Sequence, residues 1–278
     1  MTLDFGMGSY DYYNGRRNME VIAKIVNTLK EILEEDSRQV QPLFLKISDN
    51  VIFNIARLAV QERKKTFLIG ITGESASGKT VFVDNTIKAC IKKENQGIYT
   101  VIRCDDYYKD TSKELKEAGS YEALFKTGFS FDTPDAIDLD LMKKHLIALK
   151  NGETIYSPQY DFVTCESKPN MEKKTPARVI LNEGLYVLNE NVRDVMDVKV
   201  YVFTPLEVLK ERWYKRAATR GKVGEAADLQ FADVNKTAQQ YIRPTYQLAD
   251  AVINGLVSQE YIQEITDKIL QRLRAIEF

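Results

Sequence analysis

Between residues 73 and 80 the chain reads Gly73-Glu74-Ser75-Ala76-Ser77-Gly78-Lys79-Thr80. This is the pattern G-x-x-x-x-G-K-[ST], with an apolar run before it and helical spacing after it. The glycines allow tight backbone geometry, so successive N–H groups can surround a phosphate, and the following helix adds its positive end. Lys79 is spaced to reach β- and γ-phosphates, and the Thr80 hydroxyl to ligate Mg²⁺. The implied ligands are ATP and Mg²⁺. A guanine reader of the form N-K-x-D is absent, because Asn235-Lys236 is followed by Thr237-Ala238. No LSGGQ-like signature occurs either. What remains is transfer of a phosphoryl group to a small molecule.

Such chemistry needs an anionic site for metal and a base beside the acceptor hydroxyl. In a parallel sheet both belong at the carboxyl ends of strands. Two places qualify: Asp105 and Asp106 after the run at 98–103, and Glu183 after the run at 178–182. Either aspartate could take the acceptor proton, and Glu183 could hold Mg²⁺ or its water. Arg212, Arg216 and Arg220 recur every four residues and so share one helical side, running into the Gly-containing stretch 217–240. A basic edge leading into a lid can neutralise charge in a loose transition state. The aromatics Tyr107, Tyr108, Tyr160 and Phe162 suit a flat ligand ring.

The elements that must position these residues are legible as short apolar runs: TFLIGI (66–71), IYTVIR (98–103), RVILN (178–182), VKVYVF (198–203) and ADAVI (249–253). Helical spacing lies between them, as at Val83, Ile87 and Ile91. This alternation indicates a parallel sheet covered on both faces. Leu206, Leu209 and Trp213 have core spacing. The first 65 residues read as helical: Ile22, Ile25, Val26, Leu29 and Leu33 in one stretch, a break at Pro42, then a second helix from Asp49 or Asn50 with Ile52, Ile55, Ala56 and Ala59 on one face. They form an N-terminal extension for packing or oligomerisation, and residues 66–278 form the catalytic domain.

Composition narrows the class. The chain has 278 residues, 44% hydrophobic and 28% charged, with net charge −1, so it folds and carries no nucleic-acid footprint. No apolar run approaches a membrane span of roughly 18–20 residues, and the N-terminus has no apolar signal core. Cys90, Cys104 and Cys165 are odd in number and widely spaced, which fits a cytoplasmic protein without disulfides or zinc. His145, the single histidine, sits in a helical pattern rather than in a catalytic triad.

GESASGKT, DDYYKD, FDTPDAID, PQYDF, NEGLYVLNE, TRGK and PTYQLADAVI occur in an order that resembles the uridine/cytidine kinases of the phosphoribulokinase/uridine kinase family, over roughly residues 66–255. The resemblance implies a three-layer α/β fold of the P-loop nucleoside triphosphate hydrolase type. It implies transfer of the ATP γ-phosphate to the 5′-hydroxyl of a pyrimidine nucleoside by a homo-oligomer. Asp105 takes the catalytic position and stands near the metal with Thr80 and Glu183. Lys215, Arg220 and Lys222 embrace the phosphates. Tyr108 lies near the nucleoside, Asp135 holds ribose hydroxyls with Arg212, Tyr160 and Phe162 line the base pocket, and Gln230 completes it. Cys165 aligns where the family places a histidine that reads the pyrimidine. ILNEGLYVL is also close to a stretch of bacterial pantothenate kinases, so another small alcohol is the alternative acceptor. A non-catalytic nucleotide sensor is the rival from a different class. A sensor has no use for an acceptor base, and the set Asp105, Glu183 and Arg220 speaks against it.

Overall fold

The computed structural model describes residues 9–61, 66–90 and 99–276, the side chains of 9–14 and 86–90 excepted. The expected residues Ile91 and Ile98, and the Ile87 and Cys90 side chains, lie outside that description. In chain order the strands are β1 (Phe44–Ile47), β2 (Phe67–Thr72), β3 (Tyr99–Arg103), β4 (Ile155–Asp161), β5 (Glu166–Lys174), β6 (Val179–Glu183), β7 (Val198–Phe203) and β8 (Ala251–Asn254). The helices are α1 (Ser9–Ser37), α2 (Asp49–Gln61), α3 (Lys79–Cys90), α4 (Ser112–Ala118), α5 (Tyr121–Lys126), α6 (Leu139–Lys150), α7 (Leu206–Thr219), α8 (Glu225–Thr237) and α9 (Gln259–Arg274).

Six strands form one sheet in the order β1-β8-β7-β2-β6-β3, and β4 pairs with β5 apart from it. All neighbours in the large sheet run parallel except β1, which pairs antiparallel with β8. The five apolar runs thus become adjacent parallel strands. Their side chains alternate between two cores, as burial on both faces requires. Leu68, Ile102, Ile180 and Val252 face a core with Met142, Leu146 and Leu149 of α6. Ile71, Val198, Val200, Val202 and Ile253 face Val83 of α3 and Ile262 and Ile265 of α9. Burying each such side chain contributes about 1.5–3 kcal/mol. A separate cluster ties α1 to α2 through Val21, Ile22, Ile25, Ala56 and Val60.

Two elements depart from the sequence reading. Residues 44–47, between the two expected helices of an extension read as helical, form strand β1 on the sheet edge, so the N-terminal extension is partly built into the sheet. The polar hairpin β4–β5 was not anticipated; β5 is exposed along most of its length, so no apolar period marks it. The second helix does start at Asp49. Leu209 and Trp213 are buried as their spacing predicts, whereas Leu206 is exposed at the start of α7. Stretch 217–240 is largely helix α8, with only a short turn around Gly221. Among the described residues no helix is long and apolar enough to cross a membrane.

Candidate active site

The register of β2, β6 and β3 sets the geometry. Ile71 and Arg103 both lie beside Glu183, so the three strands end at one edge. The phosphate loop leaves β2 there, Glu183 closes β6, and Asp105 follows β3. Gly184 makes the approach close: its φ is +154°, and a Cβ on it would lie 2.1 Å from the Cβ of Cys104. Only glycine lets the turn after Glu183 rest on the residue before Asp105.

A cleft of about 310 Å³ opens at this edge. Ser75, Lys79, Thr80 and Glu183 line one end, and Asp105 and Asp106 line it as well. Tyr108, Tyr121, Phe131, Tyr160, Phe162 and Cys165 form the aromatic end. Asp132, Arg216, Arg220, Lys222 and Gln230 complete it. Lys79 donates to the carbonyls of Gly73 and Glu74, each at 2.9 Å, and Thr80 Oγ1 donates to Glu183 Oε2 at 3.0 Å. Arg103 Nε donates to Glu183 Oε1 at 3.0 Å. Burial holds the Glu183 carboxyl above its ordinary range, against the opposing Thr80 hydrogen bond and the charges of Lys79 and Arg103.

Burial also lowers the Lys79 ammonium to about 8, with the Asp105 charge the largest influence opposing it. A lowered lysine value means that the charge is present below pH 8 and lost as pH rises through it. kcat/KM for ATP, which reports the free enzyme, is therefore expected to fall above pH 8 while the acceptor KM stays flat. Steady-state profiles from pH 6.5 to 9.5 check this, and a flat ATP profile contradicts it.

The two aspartates face different neighbours. The charge of Asp105 acts on Lys79. Asp106 lies among Lys174, Glu172 and Arg103, and burial pushes its carboxyl up to about 6. Asp105 is therefore the carboxylate facing the phosphate loop. Tyr108, Tyr160 and Phe162 form a mutual cluster with ring centroids 5.1–5.9 Å apart. Tyr107 is instead buried in the core and bonded to His145 at 2.9 Å.

Several expected residues lie elsewhere. Asp135 is exposed, on a turn at 134–136, and is not among the cleft residues. Its neighbour in the same motif, Asp132, lines the cleft and is buried; desolvation, helped by the charge of Asp233, pushes it up to about 6. Lys215 is exposed and paired with Glu211 at 2.6 Å. The basic stripe presents Arg216 to the cleft instead, where it donates to Ser75 Oγ. Arg212 donates to the carbonyl of Gly255 at 3.0 Å and lines a second cavity, of about 500 Å³, with Ala76, Gly78, Phe82 and residues 254–259. The Glu74 carboxylate is held by Arg243 in a two-armed ion pair at 2.8 and 3.0 Å, so only its backbone serves the loop. Arg220 and Lys222 cover rings here: Arg220 Cζ is 4.6 Å from the Phe162 centroid and Lys222 Nζ is 4.2 Å from that of Tyr121.

The sequence reading overlooked Asp132, Tyr121 and Phe131 as cleft residues. Asp132 and Phe131 stand inside a motif already singled out, and the four-residue stripe contains Arg216. Tyr121 carries no sequence signal of its own.

Among the described residues no group of three or more His, Cys, Asp or Glu side chains could alone hold a metal. Thr80 Oγ1 and Glu183, with Asp105 in the same cleft, nevertheless suit Mg²⁺. That ion takes one or two protein oxygens and completes its octahedron with phosphate oxygens and water.

Comparison with known proteins agrees with this geometry. The model of the phosphoribulokinase/uridine kinase family matches residues 68–261. A uridine kinase of Borrelia turicatae is 34% identical over 189 residues, covering 67% of this chain and 85% of that protein. One from Chlamydia pneumoniae is 32% identical over 209 residues, covering 74% and 87%. A solved structure from Silicibacter sp. TM1040, described as a candidate fructose transport system kinase, aligns with a TM-score of 0.50 at 19% identity. It covers 78% of this chain and 94% of that one, a likeness of fold.

Proposed function

The chain belongs to the phosphoribulokinase/uridine kinase family, and from that premise we propose that it transfers the γ-phosphoryl group of ATP to the 5′-hydroxyl of uridine or cytidine. The observation that carries this reading is a single cleft with Lys79, Thr80 and Glu183 at one end, Asp105 beside them, and a cluster of tilted and edge-to-face aromatics at the other.

The phosphates lie on Gly73–Thr80, with Lys79 turning from the loop carbonyls to the β- and γ-oxygens. The purine base takes the second cavity, between Arg212 and residues 255–257. Mg²⁺, held by Thr80 and Glu183 with Asp105 near it, would neutralise charge on the β- and γ-phosphates. Asp105 accepts the proton of the acceptor hydroxyl. A bond forms from that oxygen to the γ-phosphorus, the bond to the bridging β–γ oxygen breaks, and ADP leaves with the electron pair. Arg216 and Arg220 balance the redistributed charge. Lys222 joins them once it leaves Tyr121. The ribose-hydroxyl role expected of Asp135 passes to Asp132, which faces the cleft, and Tyr108, Tyr160 and Phe162 bracket the base. The family also supports a homo-oligomer; light scattering that returns the mass of one chain would remove that part.

A second reading has its own observation. Arg220 and Lys222 lie over Phe162 and Tyr121 at the acceptor end, and Cys165 stands where the family reads the pyrimidine. That favours an alcohol carrying a carboxylate, such as pantothenate. ADP release with uridine, cytidine, pantothenate, glycerate and ribulose 5-phosphate separates the two. The pyrimidine reading predicts turnover with uridine and cytidine; turnover with pantothenate alone contradicts it and leaves the kinase.

Cys165 bears on selectivity. Its φ is +57°, a region in which histidine is among the better tolerated residues. Its Sγ lies 3.2 Å from Tyr121 Oη. A thiol bonds a pyrimidine edge only weakly, so weak discrimination between uridine and cytidine is expected. Cys165→His should lower the nucleoside KM by up to about tenfold, the worth of one hydrogen bond. An unchanged or higher KM for both nucleosides removes Cys165 from base reading.

A further inference from the structure

Residues 36–44 precede the stretch that matches the family model, which begins at residue 68. Asp36 is 1% exposed, yet its carboxylate is fully engaged. Oδ1 accepts from Leu43 N at 2.9 Å and Tyr261 Oη at 2.8 Å, and Oδ2 accepts from Phe44 N at 2.9 Å. Three donors on a buried carboxylate fix the turn between α1 and β1 against the first turn of α9.

That turn also meets the side chain of Asn254. Asn254 Nδ2 donates to Pro42 O at 3.0 Å, Asn254 N donates to Leu43 O at 2.9 Å, and Asn254 Oδ1 accepts from Leu256 N at 3.0 Å. One amide therefore spans from the N-terminal extension to the loop after β8. The loop in turn lies on the phosphate loop. A Cβ on Gly255 would come within 2.3 Å of Ser77 O and 2.1 Å of Thr204 Oγ1, and Thr204 donates to Ser77 O at 2.9 Å. Residues 254–259 line the cavity beside it.

We infer that residues 36–44 are a positioning element of the nucleotide site: Asp36 sets the turn, the turn holds Asn254, and Asn254 holds the loop that covers the purine base of ATP. This rests on reading the second cavity as the base site. Asp36 lies outside the cavity and acts only through the turn, whereas Asn254 lines the cavity together with the loop it holds; both are positioning residues, not catalytic ones, and Asp36→Asn is the variant that isolates positioning from contact. They should therefore govern affinity for the base and leave the triphosphate contacts alone.

The test uses the full chain and three variants, Asn254→Ala, Asp36→Asn and Val257→Trp, the last filling the cavity directly. Competition against a fluorescent ATP analogue gives affinities for ATP and for tripolyphosphate, with melting temperatures recorded alongside. Asn254→Ala and Asp36→Asn should each weaken ATP by about two- to tenfold, the range for a lost hydrogen bond. Tripolyphosphate affinity, kcat and the acceptor KM should stay within twofold. If Val257→Trp leaves ATP affinity unchanged, the base-site reading fails. If Val257→Trp weakens ATP but either positioning variant does not, the positioning role fails. Equal weakening of ATP and tripolyphosphate, or a lower melting temperature with unchanged affinity, leaves these residues as fold supports only and overturns the proposal.

Discussion

Lys79→Ala is expected to abolish phosphoryl transfer while leaving the protein folded. In the structure the ammonium is held by two loop carbonyls and is close enough to Asp105 and Glu183 to feel their charge. In the proposed mechanism it is the cation that the loop delivers to the β- and γ-oxygens. Its removal takes away charge stabilisation where negative charge moves as the γ-phosphoryl departs. Losing one such donor typically costs about 10²–10³ in rate, and the initial loss of ATP affinity adds to that in kcat/KM. The fold should survive, because burial already disfavours this charge. Coupled ADP release and a melting curve on the same preparation measure both halves. Activity within about threefold of the unmodified chain, less than 1 kcal/mol, would falsify the phosphate-loop assignment.

Asp105→Asn keeps size and shape and loses the proton acceptor. General-base loss costs about 10²–10⁴ in rate, and the effect belongs in kcat because the proton moves only in the transition state. The nucleotide contacts proposed above lie on Gly73–Thr80 and around Arg212, so ATP affinity should barely change. Asp106→Asn is the internal control: it lines the same cleft but lies among Lys174, Glu172 and Arg103. It should be the milder variant by at least tenfold. A larger loss in Asp106→Asn moves the base one residue along the chain. A defect of Asp105→Asn confined to ATP affinity assigns Asp105 to the metal instead.

Much of the site was legible because parallel strands leave little freedom. Once TFLIGI, RVILN and IYTVIR are neighbours, the residues after their carboxyl ends must converge, and Lys79, Asp105 and Glu183 do. The misses share a cause: where a residue points depends on contacts that sequence spacing does not encode. Asp132 and Asp135 are three apart in one motif. Pro134 starts a tight turn that carries Asp135 to solvent, while Asp132 is drawn inward beside Phe131 and below Tyr186, whose hydroxyl donates to its carbonyl. Lys215 and Arg216 are adjacent on one helix, and a turn of about 100° per residue decides which of them reaches the cleft; Arg212, one turn back on the side of Arg216, lines the second cavity instead. Strand β1 was hidden for a different reason. It is four residues long, its middle two are exposed, and its pairing with β8 spans some 200 residues of chain.

The most direct test of the account is the identity of the product. The full chain, ATP, Mg²⁺ and uridine or cytidine are incubated together, and the products are resolved by liquid chromatography with mass detection, with Asp105→Asn in parallel. The account predicts the nucleoside 5′-monophosphate and ADP in equal amounts, and almost none of either from the variant. ADP released without a nucleoside monophosphate, or a phosphorylated product only from a carboxylate-bearing alcohol, would contradict it.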